Sequence, residues 1–203
     1  MSIPHLEPGF EFIPTDTELL QFLKDKLLDH LDQLTSAFIP DNINPYGYDP
    51  IRLPKGNHFN RTNQAYFFTH KTQNRTLKNG FWRRASTLPE EINNEGQILG
   101  LKEQFNFFWL IGNEMIETRW TMREYTVNPA IFSDDEREAT GNEIESYIVC
   151  AIQYKKVSLY SSREEFDAEA DMEEEIEAHM THPKQLRRSK RIQERLASHP
   201  PQC

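Results

Sequence analysis

Five short runs, AYFFT, GFWRRAS, FNFFWLI, TRWTMREYTV and SYIVCAIQY, constrain this chain more than any other feature. Each has strand length, is rich in aromatic or branched residues, and is bounded by Gly, Asn or Pro. In FNFFWL, Phe105, Phe107 and Trp109 fall two apart, the spacing that puts side chains on one face of a strand. Short strands at close spacing, with few helices between them, predict an antiparallel sheet. One helix precedes them: in TDTELLQFLKDKLLDHLDQL, Thr15 and Glu18 stand at capping-box spacing, and Leu20, Leu23, Leu27, Leu31 and Leu34 recur at three or four. The segment IPDNINPYGYDPIRLP holds four prolines and a glycine and reads as turns. The expected fold class is mainly β (α+β), a sheet domain opened by a helix.

A chain of 203 residues, with 13 Phe, 7 Tyr and 3 Trp, has enough bulk for one core. Hydrophobic residues cluster before residue 160, so the expected organisation is a folded domain over 6–156 and a charged tail over 157–203. Helix and disorder both stay open for the tail. Cys150, in an apolar run, and Cys203 do not make a disulfide framework. MSIPHLEPGFEFIP lacks the pattern of a signal peptide, and no apolar run approaches the roughly 18 residues of a membrane span. A reducing, intracellular setting without a membrane partner is expected.

Catalytic constellations are missing. His179 and His182 have no Cys nearby and no firm third ligand, so no metal is expected. No Gly-rich phosphate loop, G-x-S-x-G or H-E-x-x-H occurs, and Cys150 reads as packing. Glu90 and Glu91 are paired acids read as lying in a loop. No enzyme activity, cofactor or small-molecule substrate is expected.

The charge is segmented by sign. Net charge is -9, yet Pro50 to Pro89 contains no Asp or Glu and eight bases: Arg52, Lys55, Arg61, Lys71, Arg75, Lys78, Arg83 and Arg84. Acids then dominate from Asp134 to Glu145 and again over 164–177, and bases over 184–195. An acid-free basic stretch in an acidic chain is the local footprint of a polyanion partner, or else a solvated loop whose bases pair with acids elsewhere. Interleaved aromatics (Phe59, Tyr66, Phe67, Phe68, Phe81, Trp82) place the stretch in folded strands.

A series of blocks resembles the plant NAC transcription-factor family. LEPGFEFIPTDTELL is similar to L-P-P-G-F-R-F-x-P-T-D-E-E-L, and YGYDPIRLP to Y-x-x-D-P-W-x-L-P. AYFFT resembles W-Y-F-F-S, and NR….GFWRRAS resembles N-R….G-Y-W-K-A-T-G. ILGLKEQFNFF, RWTMREYTV and ESYIVCAIQYKK follow in the family's order, across residues 6 to 156. The resemblance implies a twisted antiparallel sheet packed with a few helices, usually dimeric and nuclear. It also implies binding to double-stranded DNA, with the edge strand Gly80–Ser86 entering the major groove.

On that resemblance Arg83 and Arg84 are the expected principal contacts, projecting to opposite sides of an edge-on strand. Guanidinium suits both guanine edges and phosphate oxygens. Arg75, Lys71, Lys78 and Lys102 are expected to hold the DNA backbone, and Phe81 and Trp82 to anchor the strand. Leu6, Glu11, Thr15 and Glu18 fall at the family's dimer interface, where an Arg normally pairs with a Glu. Here Glu11 and Glu18 would face each other, so a weakened homodimer and a heterodimer with a related NAC protein are expected. In the tail, Lys184, Arg187, Arg188, Lys190 and Arg191 resemble a nuclear-import signal.

Departures from the family pattern are chemical. K-A-T-G becomes Arg83-Arg84-Ala85-Ser86, the double lysine becomes Lys102-Glu103, and the basic loop before the T-x-W strand becomes LIGNEMIET, with Glu114 and Glu117. Residues 6 to 127 carry 13 bases and 16 acids, so weak DNA affinity is expected. Two readings stand: a DNA-binding regulator, or a NAC-like interaction module that pairs with DNA-binding relatives and modulates them.

Overall fold

The structure, a computed structural model, describes residues 10–112 and 114–155. Leu6, the acidic and basic tail segments and the import-signal residues lie outside the described residues.

The first helix, α1 (Asp16–Leu27), begins at the expected capping box. The Thr15 hydroxyl accepts the Glu18 N–H at 3.2 Å, and the Glu18 carboxylate accepts the Thr15 N–H at 2.8 Å. That hydrogen bond from the Thr15 backbone holds the Glu18 carboxyl below its usual pKa. Leu19, Leu20 and Leu23 form the buried face. The leucine stripe does not continue as one helix. Asp29 turns left-handed (φ 56°) and the chain restarts as α2 (Gln33–Phe38). Asp32 caps it, accepting the Thr35 N–H at 2.9 Å and the Thr35 hydroxyl at 2.6 Å. An aspartate is worth more at an N-cap than inside a helix, which explains the break. Leu27, Leu28, Leu31 and Leu34 still pack against the core.

Six antiparallel strands form one sheet: β1 (Gln64–His70), β2 (Gly80–Arg84), β3 (Glu90–Asn94), β4 (Gln97–Ile111), β5 (Glu114–Val127) and β6 (Tyr147–Tyr154). Their order is β1-β6-β5-β4-β2, with β3 also pairing β4. This is the expected α+β class. The β4–β5 hairpin is longer than the sequence runs, and Glu90 and Glu91 stand in β3 rather than in a loop. In β3 only Ile92 turns inward, so hydrophobic alternation is too sparse to announce a strand. Glu95 (φ 49°) and Gly96 (φ 86°) then make a two-residue turn with both φ positive, the geometry that suits a hairpin.

The two faces of the sheet have different covers. Tyr66, Phe68, Tyr125, Val127, Val149 and Ala151 share one hydrophobic core with Leu19, Leu20 and Leu23 of α1. Gly100 lets the helix come close, because a Cβ there would lie 2.4 Å from the Thr126 carbonyl and 2.7 Å from Leu20 Cδ2. Residues from before β1 and from the loop before β2 lie on the opposite face: Phe59 stacks on Trp120 at 5.8 Å, and Tyr46 and Arg75 both reach Glu124. Cys150 is fully buried on that face, its Sγ 4.0 Å from the Tyr46 hydroxyl, and burial pushes its thiol pKa well up. It packs.

Candidate nucleic-acid interface

β2 ends the strand path, so one of its edges faces away from β4. The start of that edge is held by the preceding loop. Leu77 N–H donates to the Gly80 carbonyl at 2.7 Å and Trp82 N–H to the Arg75 carbonyl at 2.9 Å. Gly80 is required by contact: a Cβ would meet the Phe108 carbonyl at 2.4 Å and the Phe107 ring at 2.6 Å. Phe81 stacks on Phe108 at 5.6 Å, while Trp82, 4 % exposed, sets its edge against Phe107 at 5.0 Å. The two rings grip opposite faces of β4, since β2 residues alternate.

Beyond this anchorage, residues 83 to 88 are all exposed. Arg83 lies with its guanidinium 3.9 Å from the centroid of the Phe108 ring, and it has no ion-pair partner among the described residues. Arg84 projects to the other face and pairs with Glu103. Ala85 N–H still reaches the Gln104 carbonyl at 2.8 Å, after which the chain leaves the sheet. The Ser86 hydroxyl donates to the Leu88 carbonyl at 2.8 Å.

Two carboxylates organise the face that Arg84 shares. Glu103 and Glu124 stand directly opposite each other on β4 and β5, 5 % and 1 % exposed. Like charges so placed repel unless each is compensated. Glu124 accepts the Arg75 guanidinium through two hydrogen bonds, at 2.9 and 2.7 Å, and the Tyr46 hydroxyl at 2.8 Å. Glu103 accepts Lys71 at 2.9 Å and Arg84. Burial raises the Glu103 pKa, but the hydrogen bond from Lys71 and the charges of Lys71, Arg84 and Arg75 outweigh it, and the carboxyl titrates below its usual range. Burial alone would lower the Arg75 pKa; the Glu124 contact raises it instead. Asp16, Lys102 and Glu90 make a third ionic group on the helix side, with Lys102 2.7 Å from Asp16 and 2.9 Å from Glu90.

The six cations expected to meet DNA, together with the anchoring Trp82, therefore occupy three environments. Arg83 and Lys78 are exposed and carry no ion pair among the described residues. Arg84 and Lys71 reach solvent, with 44 % and 31 % of their side chains exposed, but share Glu103. Arg75, Trp82 and Lys102 are turned inward, to Glu124, Phe107 and Asp16 respectively. Sequence reading passed over Tyr46 and Glu124. A carboxylate in the apolar run TMREYTV was the available signal, because such a group must find a cation when the strand is buried. At the expected dimer positions Glu11 is exposed, and Thr15 and Glu18 are joined in the helix cap.

The comparisons with known proteins give the architecture a family. Residues 7–127 match the family model described as No apical meristem (NAM) protein, a span that ends with β5. The chain is 29 % identical over 191 residues to NAC domain-containing protein 2 of Solanum lycopersicum, covering 88 % of this chain and 66 % of the relative. It is 30 % identical over 185 residues to NAC domain-containing protein 1 of the same plant, covering 85 % and 61 %. NAC domain-containing protein 104 of Arabidopsis thaliana is 36 % identical over 128 residues, covering 61 % and 63 %. The chain belongs to the NAC family of plant proteins, whose members are generally transcription factors and not enzymes. It spans about two thirds, or less, of the length of these relatives. Among the described residues no helix is long and apolar enough to cross a membrane.

Proposed function

We propose that this chain is a nuclear DNA-binding transcription regulator whose edge strand, Gly80 to Ser86, enters the major groove of double-stranded DNA. One observation carries the reading: the most exposed part of the acid-free basic stretch coincides with the end of an edge strand fixed from behind by Phe81 and Trp82. Arg83 is the base-reading group and Arg84 the phosphate group on the opposite wall. Lys78, on the loop before β2, meets the backbone. Each good bidentate base contact is worth about 1–3 kcal/mol of discrimination. The test is retention of a random-sequence duplex pool in low salt by the full chain and by Arg83→Glu/Arg84→Glu. Loss of retention with an unchanged circular-dichroism spectrum is expected, and undiminished retention refutes the reading.

A second reading rests on Glu103. It engages Lys71 and Arg84, while Glu117 stands opposite Phe108, the residue whose ring Arg83 covers, and accepts Asn106 Nδ2 at 2.7 Å. Carboxylates among the expected contacts favour an interaction module that pairs with DNA-binding relatives and modulates them. Glu11 at the expected dimer position favours a heterodimer with a NAC partner bearing arginine there. Retention of DNA by the chain alone separates the two readings.

A further inference from the structure

The end of β2 carries a pattern that neither the fold nor the DNA reading requires. Arg83-Arg84-Ala85-Ser86 sets two guanidiniums three and two residues before a hydroxyl. Arginine-directed protein kinases recognise such charge patterns by carboxylates in their substrate cleft. The local structure suits that cleft. Arg83 and Arg84 lie at the extended end of an edge strand, residues 83 to 88 are exposed, and Leu88, 76 % exposed, is the most accessible large hydrophobic side chain described. Arg83 and Arg84 are still paired with β4, with Arg83 over the Phe108 ring and the half-exposed Arg84 on Glu103; beyond them the contact with the rest of the fold is Ala85 N–H to the Gln104 carbonyl. Among the described residues the Ser86 hydroxyl bonds within its own bend, to the Leu88 carbonyl.

We propose that Ser86 is a phosphorylation site for an arginine-directed serine/threonine kinase, and that its phosphate turns off the β2 edge as a DNA contact. In the transfer, Ser86 Oγ attacks the γ-phosphorus of ATP supplied through the kinase. The Oγ–P bond forms, the bond from γ-phosphorus to the bridging oxygen breaks, ADP leaves, and the hydroxyl proton passes to the kinase's catalytic carboxylate. The product places nearly two negative charges two residues after Arg84. The phosphate then competes with Glu103 for the Arg84 guanidinium and presents to DNA the charge that DNA itself carries.

The second half of this proposal rests on the DNA reading; the modification does not. The experiment treats the folded full chain and Ser86→Ala with an arginine-directed kinase and ATP, maps phosphopeptides by mass spectrometry, and measures retention of random duplex DNA in low salt. Phosphate is expected on Ser86 of the parent chain, with retention falling about tenfold or more and returning after phosphatase treatment. Kinase treatment of Ser86→Ala should leave retention unchanged even if other sites, such as Ser189, are modified. Phosphate confined to other residues overturns the site. Full modification of Ser86 with undiminished retention overturns the switch. If the untreated chain holds no DNA, the DNA reading and the switch fall together, and the phosphopeptide map still decides whether Ser86 is modified.

Discussion

Arg75 shows how far a basic residue can be from the role its neighbourhood suggests. It sits among the bases of the acid-free stretch, but its guanidinium is committed to Glu124, packs 4.4 Å from the Phe105 centroid, and is nearly enclosed. Removing it leaves a carboxylate 1 % exposed with the Tyr46 hydroxyl as its remaining partner among the contacts above. Arg75→Ala should therefore cost about 3–5 kcal/mol, read as a lower urea midpoint, and Arg75→Ala/Glu124→Gln should recover part of the loss. Glu103 and Asp16 behave differently because their native pKa values are depressed. A carboxylate of this kind adds stability that is complete above its unfolded pKa and disappears as pH falls through the native value. With ordinary values of 4.5 for Glu103 and 3.8 for Asp16, stability should decline as pH drops below that range. Glu103→Gln and Asp16→Asn should each flatten the decline in urea titrations at successive pH values; parallel curves would assign the acid sensitivity to other carboxylates.

At the scale of the element, β2 is a short strand whose position depends on what lies behind it. The ladder to β4, the two ring contacts and the close passage at Gly80 fix it together. Gly80→Ala forces a methyl group to within 2.4 Å of a main-chain carbonyl, so the strand must shift. A destabilisation of about 1–3 kcal/mol is expected, with loss of hydrogen-exchange protection concentrated at residues 80 to 85. Uniform loss across the sheet would mean that β2 does not move separately. The strand itself was legible in GFWRRAS, because aromatic side chains at adjacent positions must serve two faces. The division of its neighbours was not. Lys71, Lys78 and Arg75 look alike in sequence, and only the pairing of β4 with β5 decides which of them finds a carboxylate. β3 escaped notice because its inward side chains are reduced to Ile92, and the end of α1 because Asp32 acts through a cap rather than through hydrophobic spacing.

For the whole molecule the relevant quantity is how many cations remain for a polyanion. Ion pairing inside the fold takes Arg75 and Lys102, and Glu103 holds Lys71 and Arg84 while leaving them within reach of solvent. Each phosphate neutralised contributes roughly 0.9 to the slope of log affinity against log salt. The parent chain should therefore show a shallow slope, and Glu103→Gln should steepen it by about one to two contacts' worth. An identical slope in the two proteins would show that Lys71 and Arg84 face DNA equally well while paired. The sequence already displayed the sign pattern along the chain. It could not display cancellation between segments distant in order, which depends on strand register.

The carbonyl of Arg75 receives the Trp82 amide, while the same residue's side chain is locked to Glu124. A single amino acid thus tethers the protruding strand to the middle of the sheet from its rear. Substitutions at positions 83 to 86 therefore leave both of these moorings in place, and the chemistry of the exposed end can vary apart from the anchorage that carries it.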